Sequence, residues 1–328
     1  MKPSLQITQT GIRIANPKKI IQCLRREFEK SHYVHLKHFL EPSFLKQITR
    51  KIDPAINSRV GAPYVKGGVE KASFYERAHK GIALESCMNR NAALNILEFA
   101  VNDQNLFDII QQITGCGTIG CFNGRVYRMR PGRGHYDSWH SDINKREGRM
   151  VGMSVNLSTR FYKGGILQIR NKKSKKALCE ISNTGSGDAI LFHLAPFLEH
   201  QVTDVEGHTS KTAFAGWFQA FPKFQARLER KLSPPYQGGV RGGQYRFTFS
   251  KEIVSHKLGS TLMLCNPSTN VYYGLDHVGQ SIWDLVERKK NLQSIVDGLS
   301  KRYDASPELL KEDATNFLQV LLSTGLIR

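Results

Sequence analysis

Trp139-His140-Ser141-Asp142 sets an imidazole and a carboxylate two residues apart. Along an extended chain, residues i and i+2 point to one face. His140 and Asp142 can therefore grip one metal ion from a strand end while Ser141 turns away. A third protein ligand has to come from elsewhere. His200 is the best placed, in the run Leu198-Glu199-His200-Gln201-Val202. A lone His-x-Asp arises often by chance, and any one of the 11 histidines taken alone is more readily a core or surface residue. His193, at a strand end, reads as structural, and His208 as a loop residue. The weight of the reading lies in what surrounds the pair.

Those surroundings fall in a definite order. Gly164-Gly165-Ile166-Leu167 comes first, then Gly187-Asp188-Ala189-Ile190-Leu191-Phe192, a turn feeding a buried strand, then His200. Eleven residues on lies Lys211, in Lys211-Thr212-Ala213-Phe214-Ala215-Gly216-Trp217-Phe218. The set resembles the 2-oxoglutarate- and Fe(II)-dependent oxygenase superfamily, in its prolyl-hydroxylase-like branch, over roughly residues 30–220. The resemblance implies that His140, Asp142 and His200 are iron ligands, the two-histidine, one-carboxylate triad that leaves positions open on the metal. It implies that Lys211 holds the far carboxylate of 2-oxoglutarate. It also implies Fe(II), 2-oxoglutarate and O2 as the reacting set, with ascorbate as an accessory. The physical reading agrees, because a dicarboxylate needs a fixed cation one molecule's length from the metal, and a lysine on a strand inside an apolar barrel supplies that point charge. One departure stands out. The branch often has a tyrosine just before the Pro-Gly turn of its first core strand, and here Arg128-Met129-Arg130-Pro131-Gly132 puts Met129 there. Tyr127 and Tyr136 are both candidates for that contact, and Arg128 is a second candidate cation.

A length of 328 residues suggests two domains. No apolar run approaches the ~20 residues of a membrane span, and the N-terminus lacks the apolar centre of a signal peptide. The expected location is the cytoplasm. Six cysteines are scattered without metal-type pairing and read as reduced thiols. The formal charge is +19. Residues 241–328 hold 11 Lys+Arg against 9 Asp+Glu, so nearly all of the excess lies before them. Such a field attracts acidic partners. An acidic peptide, nucleic acid and a plain surplus for solubility all stay open.

In chain order, a strand-like start over Leu5–Ile14 leads to a basic helix from Pro17 and a strand over Tyr33–Leu36. Glu41-Pro42-Ser43 then opens a helix running through Ile52. Residues 53–82 read as an irregular, Gly-rich lid or substrate loop. Helical spacing follows over Asn91–Val101 and Asn105–Ile113. From Gly117 to Phe221 the pattern changes to about eight short alternating strands with glycine turns, which suits a double-stranded β-helix, the double-sheet jelly roll. The expected fold class is mixed: that jelly roll with flanking helices, plus a small α+β domain. The expected boundaries are an oxygenase domain over 1–222, a linker over 223–244 carrying Ser233-Pro234-Pro235 and glycine pairs, and a second domain over 245–328.

In the second domain, short strands are expected at Tyr245–Phe249, Thr261–Cys265 and Val271–Gly274. Helices are expected over Asp276–Lys289, Asn291–Tyr303 and Ser306–Thr324, the last opened by a Ser306 cap with Pro307 at its first turn and stopped at Gly325. Strands followed by three helices describe a winged-helix-like unit. Tyr273-Gly274-Leu275-Asp276-His277-Val278-Gly279-Gln280-Ser281-Ile282-Trp283-Asp284-Leu285, with Leu292–Tyr303 and the closing Gly325-Leu326-Ile327, resembles the PqqD family, the peptide-recognition element of ribosomal peptide natural product pathways. That resemblance implies a precursor peptide as partner. Its leader would add as a strand to the edge Asn270-Val271-Tyr272-Tyr273, beside the helix carrying Ala314, Phe317 and Leu318. The near-neutral charge of this unit argues against nucleic acid, whose phosphates need net Lys and Arg. The leading expectation is a hydroxylase that modifies a ribosomally made peptide held by its leader. The alternatives are oxidation of a small metabolite, a non-enzymatic peptide chaperone on a dead oxygenase fold, and nucleic-acid oxidation by the basic barrel.

Overall fold

The computed structural model describes residues 5–57, 75–77, 81–85, 92–132, 136–182, 184–221, 252–259, 261–266, 271–275, 277–288, 291–323 and 325–327. The chain divides into two units, Met1–Arg227 and Leu228–Arg328.

In the first unit, the stretch expected as one strand is a hairpin of β1 (Leu5–Thr8) and β2 (Gly11–Ile14). Gly11 at φ +125° makes the turn, and the Thr8 hydroxyl braces it by donating to the Gly11 carbonyl at 2.9 Å. There follow α1 (Pro17–Ser31), β3 (Tyr33–Leu36) and α2 (Pro42–Asn57). The expected loop over 53–82 needs correcting. Helix α2 runs on to Asn57, and β4 (Tyr75–Arg77) and β5 (Gly81–Glu85) are strands that widen a sheet. The lid expected over 58–74 and 78–80 lies outside the described residues.

Helices α3 (Ala92–Val101) and α4 (Gln104–Thr114) precede the strand-rich core. Its long strands are β6 (Cys121–Met129), β7 (Asp137–His140) and β8 (Arg149–Asn156). After them come β9 (Lys163–Gly164), β10 (Leu167–Asn171), β11 (Ala177–Ile181) and β12 (Ala189–His193). The last are β13 (Leu198–Val202), β14 (Val205–Glu206) and β15 (Lys211–Gln219). They form a seven-stranded sheet of order β3-β12-β8-β15-β6-β5-β4 and a four-stranded sheet of order β11-β10-β13-β7, with a small β14-β9 pair. Every pairing is antiparallel. Two antiparallel sheets enclosing one cavity are the jelly-roll architecture.

Strand β15 shows why that cavity exists. It runs through the middle of the large sheet, between β6 and β8. Period-two alternation sends Phe214 and Phe218 to the outer face. There they meet Phe122 with centroids at 5.4 and 4.9 Å, and Phe218 meets Phe107 of α4 edge-on at 6.1 Å. Ala213 and Ala215 face the other way, so the core lies outside the sheet and space is left within. Asn102, buried at the end of α3, accepts from the Phe122 N–H at 2.7 Å and donates to its carbonyl at 3.1 Å, which pins the helix layer to β6.

The second unit carries β16 (Val254–Leu258), β17 (Thr261–Asn266) and β18 (Val271–Leu275) as an antiparallel sheet in that order. Helices α5 (His277–Glu287), α6 (Leu292–Ser300) and α7 (Pro307–Ser323) follow. Val254–Leu258 was not expected as a strand, and the expected strand at 245–249 lies outside the described residues. The Asn291 side chain caps α6 through the Ser294 N–H at 2.9 Å, and the Ser306 hydroxyl accepts from the Leu309 N–H at 3.2 Å. Ile282, Trp283, Val286, Ile295, Leu299, Leu310, Leu318 and Leu326 share one buried core. Among the described residues no helix is long and apolar enough to cross a membrane.

Candidate active site

Register builds the site. His200 on β13 is the direct cross-strand partner of His140 on β7, so the two imidazoles are neighbours by pairing alone, with centroids 4.4 Å apart. Two residues past His140, Asp142 brings its carboxylate between them. Its Oδ2 lies 3.2 Å from His200 Nε2, and its Oδ1 lies 3.6 Å from His140 Nε2. All three ligand atoms lie within 4.8 Å of one another. Donors about 2.1 Å from a common ion, on one face of an octahedron, stand about 3 Å apart, so this set fits a facial triad.

The environment holds each donor in place. His140 Nδ1 sits 2.6 Å from the Ser138 carbonyl, the arrangement that leaves Nε2 free to ligate. Burial works against charge on Asp142, but hydrogen bonds from His140 and His200 hold its carboxyl far below the usual carboxylate range. Burial also lowers His140, and the Asp142 hydrogen bond together with the nearby Asp137 outweighs it, raising the imidazole above its ordinary value. Phe192 packs edge-on against His200 at 4.9 Å. Its ring fits because residue 152 is glycine: a Cβ there would stand 2.2 Å from the ring.

A cavity of about 90 Å³ opens from the triad into the space between the sheets. At ~10–15 Å³ per water on this measure, it has the size of a small organic acid. Lys211 lines it from the start of β15, six residues from Trp217, and is 6% exposed. The Lys211 ammonium donates to the Gly165 carbonyl at 2.7 Å, and burial pulls its pKa down to about 8. Gly164 and Gly165 both hold positive φ, at +69° and +60°. A Cβ on Gly165 would meet the Lys211 stem at 2.8 Å, so the Gly-Gly turn makes the slot in which the lysine lies.

The other expected contacts divide by strand face. Tyr136 lines the cavity, as does Tyr127, whose phenol burial pushes up to about 12 against a hydrogen bond with Ser154. Arg128 does not line it. Between Tyr127 and Met129 it faces the opposite side of β6, donating from Nε to the Thr212 hydroxyl at 2.8 Å and pairing with Asp53. Strand alternation thus turns away the side chain expected as a second cation. Asp188 of the Gly-Asp turn is structural, accepting from the His38 N–H at 2.7 Å and lying 2.7 Å from His35 Nε2.

Sequence reasoning missed three things. Trp217 donates from its indole to Asp142 Oδ2 at 2.7 Å. Tyr162 and Asn156 also line the cavity, Tyr162 with its ring centroid 5.9 Å from the Lys211 ammonium. Trp217 and Asn156 fall on inward positions of long strands, so alternation is the signal that could have found them. Tyr162 lies in a loop and carried none.

In the second unit, Ala314 and Leu318 are buried in the core, Tyr273 and Phe317 are half-buried at its margin, and Tyr272, buried too, falls on the other face of β18. Asn270 and the Val271 side chain lie outside what is described. Strand β18 pairs with β17 along one side, and its other side carries no partner among the described residues.

Comparison with known proteins agrees with both halves. Residues 124–219 match the 2OG-Fe(II) oxygenase superfamily, and residues 261–327 match coenzyme PQQ synthesis protein D (PqqD). Among solved structures, a Pseudomonas putida prolyl-4-hydroxylase is 15% identical over 62% of this chain and 100% of its own, with a TM-score of 0.46. The prolyl hydroxylase of Trichoplax adhaerens, in complex with a hypoxia inducible factor oxygen degradation domain peptide fragment, is 16% identical over 62% of this chain and 90% of its own, at 0.46. TbiB1 in complex with the TbiA(beta) leader peptide is 31% identical over 24% of this chain and 93% of its own, at 0.24. No curated protein matches. The chain therefore joins an oxygenase domain dependent on Fe(II), 2-oxoglutarate and O2 to a PqqD domain.

Proposed function

We propose that this protein is a 2-oxoglutarate- and Fe(II)-dependent hydroxylase of a ribosomally made precursor peptide, whose leader is held by the PqqD domain. One observation carries the reading: a chain with a PqqD match also holds an intact His-Asp-His set and a buried lysine on a single cavity. His140, Asp142 and His200 would hold the iron. Lys211 would hold the far carboxylate of 2-oxoglutarate, with Tyr127, Tyr136 and Tyr162 around the cosubstrate. When bound, the iron with 2-oxoglutarate and O2 supplies the oxidising chemistry. The chain contributes orientation and exclusion of water: Phe192 packs under one ligand and Trp217 steadies another, while the sheets wall off the cavity.

For the second unit we propose a winged-helix-like fold that takes the leader as an added strand on β18. Main-chain hydrogen bonds would give affinity there, and Tyr273 and Phe317 would offer apolar contact. The side of β18 that pairs with no other strand among the described residues, and the half-buried Tyr273 and Phe317, support this. The buried Tyr272, Ala314 and Leu318 would shape the surface from beneath. Holding the leader raises the local concentration of the residues to be oxidised without tight binding at the cavity.

The test is succinate formation from 2-oxoglutarate by the full chain, with Fe(II), in the presence and absence of a precursor peptide encoded beside its gene. Mass spectrometry of the peptide should show added oxygen, and an excess of free leader should compete. Peptide oxidation indifferent to free leader would reject the tether, and absence of any peptide oxidation would reject the substrate class.

A further inference from the structure

Two arginine–tryptophan stacks flank the ligand strand, and they differ in one respect. Arg170 lies over the Trp139 ring at 3.8 Å, and Arg149 lies over the Trp217 ring at 3.7 Å. Each arginine is also pinned by a glutamate: Arg170 Nε donates to Glu199 at 2.5 Å, and Arg149 Nε donates to Glu147 at 2.7 Å. Trp217 alone turns its indole N–H onto a triad residue, the Asp142 Oδ2 at 2.7 Å.

The contacts close a ring. Asp142 leads into a turn in which the Asn144 carbonyl accepts from the Gly148 N–H at 2.8 Å. The next residue, Arg149, opens β8 and stacks on Trp217, which returns to Asp142. Trp217 is itself fixed by long pairings on both sides, with Asn123 of β6 and Gly152 of β8. A carboxylate just past a strand end has a freely turning side chain. A donor mounted on the central strand of the large sheet removes that freedom by taking up a lone pair of Oδ2.

We propose that Trp217 is a positioning residue for the metal, aiming the Asp142 carboxylate at the site, and that Arg149 acts through Trp217 by clamping its ring. This rests on the iron-site reading above, and it extends that reading to two residues outside the ligand set. Groups that orient a metal ligand through a hydrogen bond typically account for ten- to hundredfold in metal affinity.

The experiment is a titration of the metal-free full-length protein with Co(II), followed by its visible absorption, so that affinity is read without turnover. Trp217→Phe keeps the apolar wall and deletes the donor, and it should weaken Co(II) binding by about ten- to hundredfold. Arg149→Ala should weaken it less. The double variant should be no worse than Trp217→Phe alone, because the arginine acts through the indole. Trp139→Phe, which keeps a ring beneath Arg170 and deletes an indole N–H that reaches no ligand, should bind Co(II) as the unaltered protein does.

Three results would overturn the proposal: unchanged affinity in Trp217→Phe, equal loss in Trp139→Phe, or a full additional loss in the double variant. Failure of the unaltered protein to bind Co(II) would instead sink the iron-site reading. Should Trp217→Phe not fold, the unaltered protein still decides. Of its three tryptophans, 15N-labelled, the Trp217 indole should exchange slowly with solvent and shift on adding Zn(II). A fast-exchanging, unshifted Trp217 signal would reject the hydrogen bond.

Discussion

The two units place recognition in different parts of the chain. In the first, chemistry resides in side chains: two imidazoles, a carboxylate and an ammonium, each aimed by strand register. In the second, the surface proposed to bind peptide is a strand edge, where the main chain does the work and side chains mostly build the support. A site made of side chains is written in residue types and can be destroyed by one substitution. A site made of backbone is sequence-tolerant and yields only to a residue that removes an N–H or breaks the strand.

That contrast can be broken most directly at the triad. His140→Ala or Asp142→Ala should abolish both metal binding and turnover, because each deletes one of three protein ligands. Calorimetric titration with Fe(II) under anaerobic conditions, with succinate release measured in parallel, checks it. Full activity in either variant would mean the chemistry is not where register puts it.

A smaller loss is expected at the other end of the same cavity. Lys211→Ala should raise the 2-oxoglutarate requirement by roughly ten- to hundredfold while leaving iron affinity nearly unchanged. That is the size of one charge-assisted hydrogen bond, about 1.5–3 kcal/mol. The KM for 2-oxoglutarate and the iron dissociation constant, measured on one preparation, separate the two effects.

The second unit should respond differently. Alanine substitutions along Val271–Leu275 that leave the fold intact should change leader affinity only about two- to threefold. Proline should act with period two: at positions whose N–H faces outward it costs about tenfold in affinity without unfolding, and at positions paired to β17 it unfolds the strand. Fluorescence anisotropy of a labelled leader, paired with circular dichroism, gives both readouts. Side-chain losses rivalling the triad's would erase the distinction between the units.

The last expected effect is a pH dependence confined to the first unit. Burial has lowered Lys211 to about 8, so its ammonium is complete below that pH and lost above it. Affinity for 2-oxoglutarate should hold steady below pH 8 and decline by up to about tenfold per unit above, while leader binding stays flat over the same range. A flat 2-oxoglutarate profile through pH 9 would show that bound anion keeps the lysine charged.

The same contrast accounts for what was legible beforehand. His140, Asp142, His200 and Lys211 stood out because chemistry demands those residue types at that spacing, and the glycine turns marked the strand ends. Arg128 was misjudged on residue type alone, since alternation between Tyr127 and Met129 places it outside the cavity. The Trp217 bond to Asp142 joins residues 75 apart in sequence and needs the sheet to bring them together. Strands β4 and β5 were hidden in a Gly-rich stretch, and β16 has a polar, weakly alternating sequence, Val-Ser-His-Lys-Leu. In the second unit the hydrophobic periods of the helices were plain. Which of the named residues would be covered was not, because Ala314 and Leu318 look like a docking face until the core is seen to enclose them.

The central strand of the large sheet has one more implication, for how this enzyme can change. Ala213, Ala215 and Gly216 line the cavity with almost no side chain. Gly216 has no slack at all, since a Cβ there would stand 2.0 Å from the Asn123 carbonyl oxygen. Every point substitution at the two alanines except glycine adds bulk. Inheritance at these three positions therefore runs almost in one direction: apart from glycine at the alanines, every change narrows the chamber toward a shorter acid or closes it into an inert scaffold, and room can be gained on this strand chiefly by giving up Lys211 or Trp217.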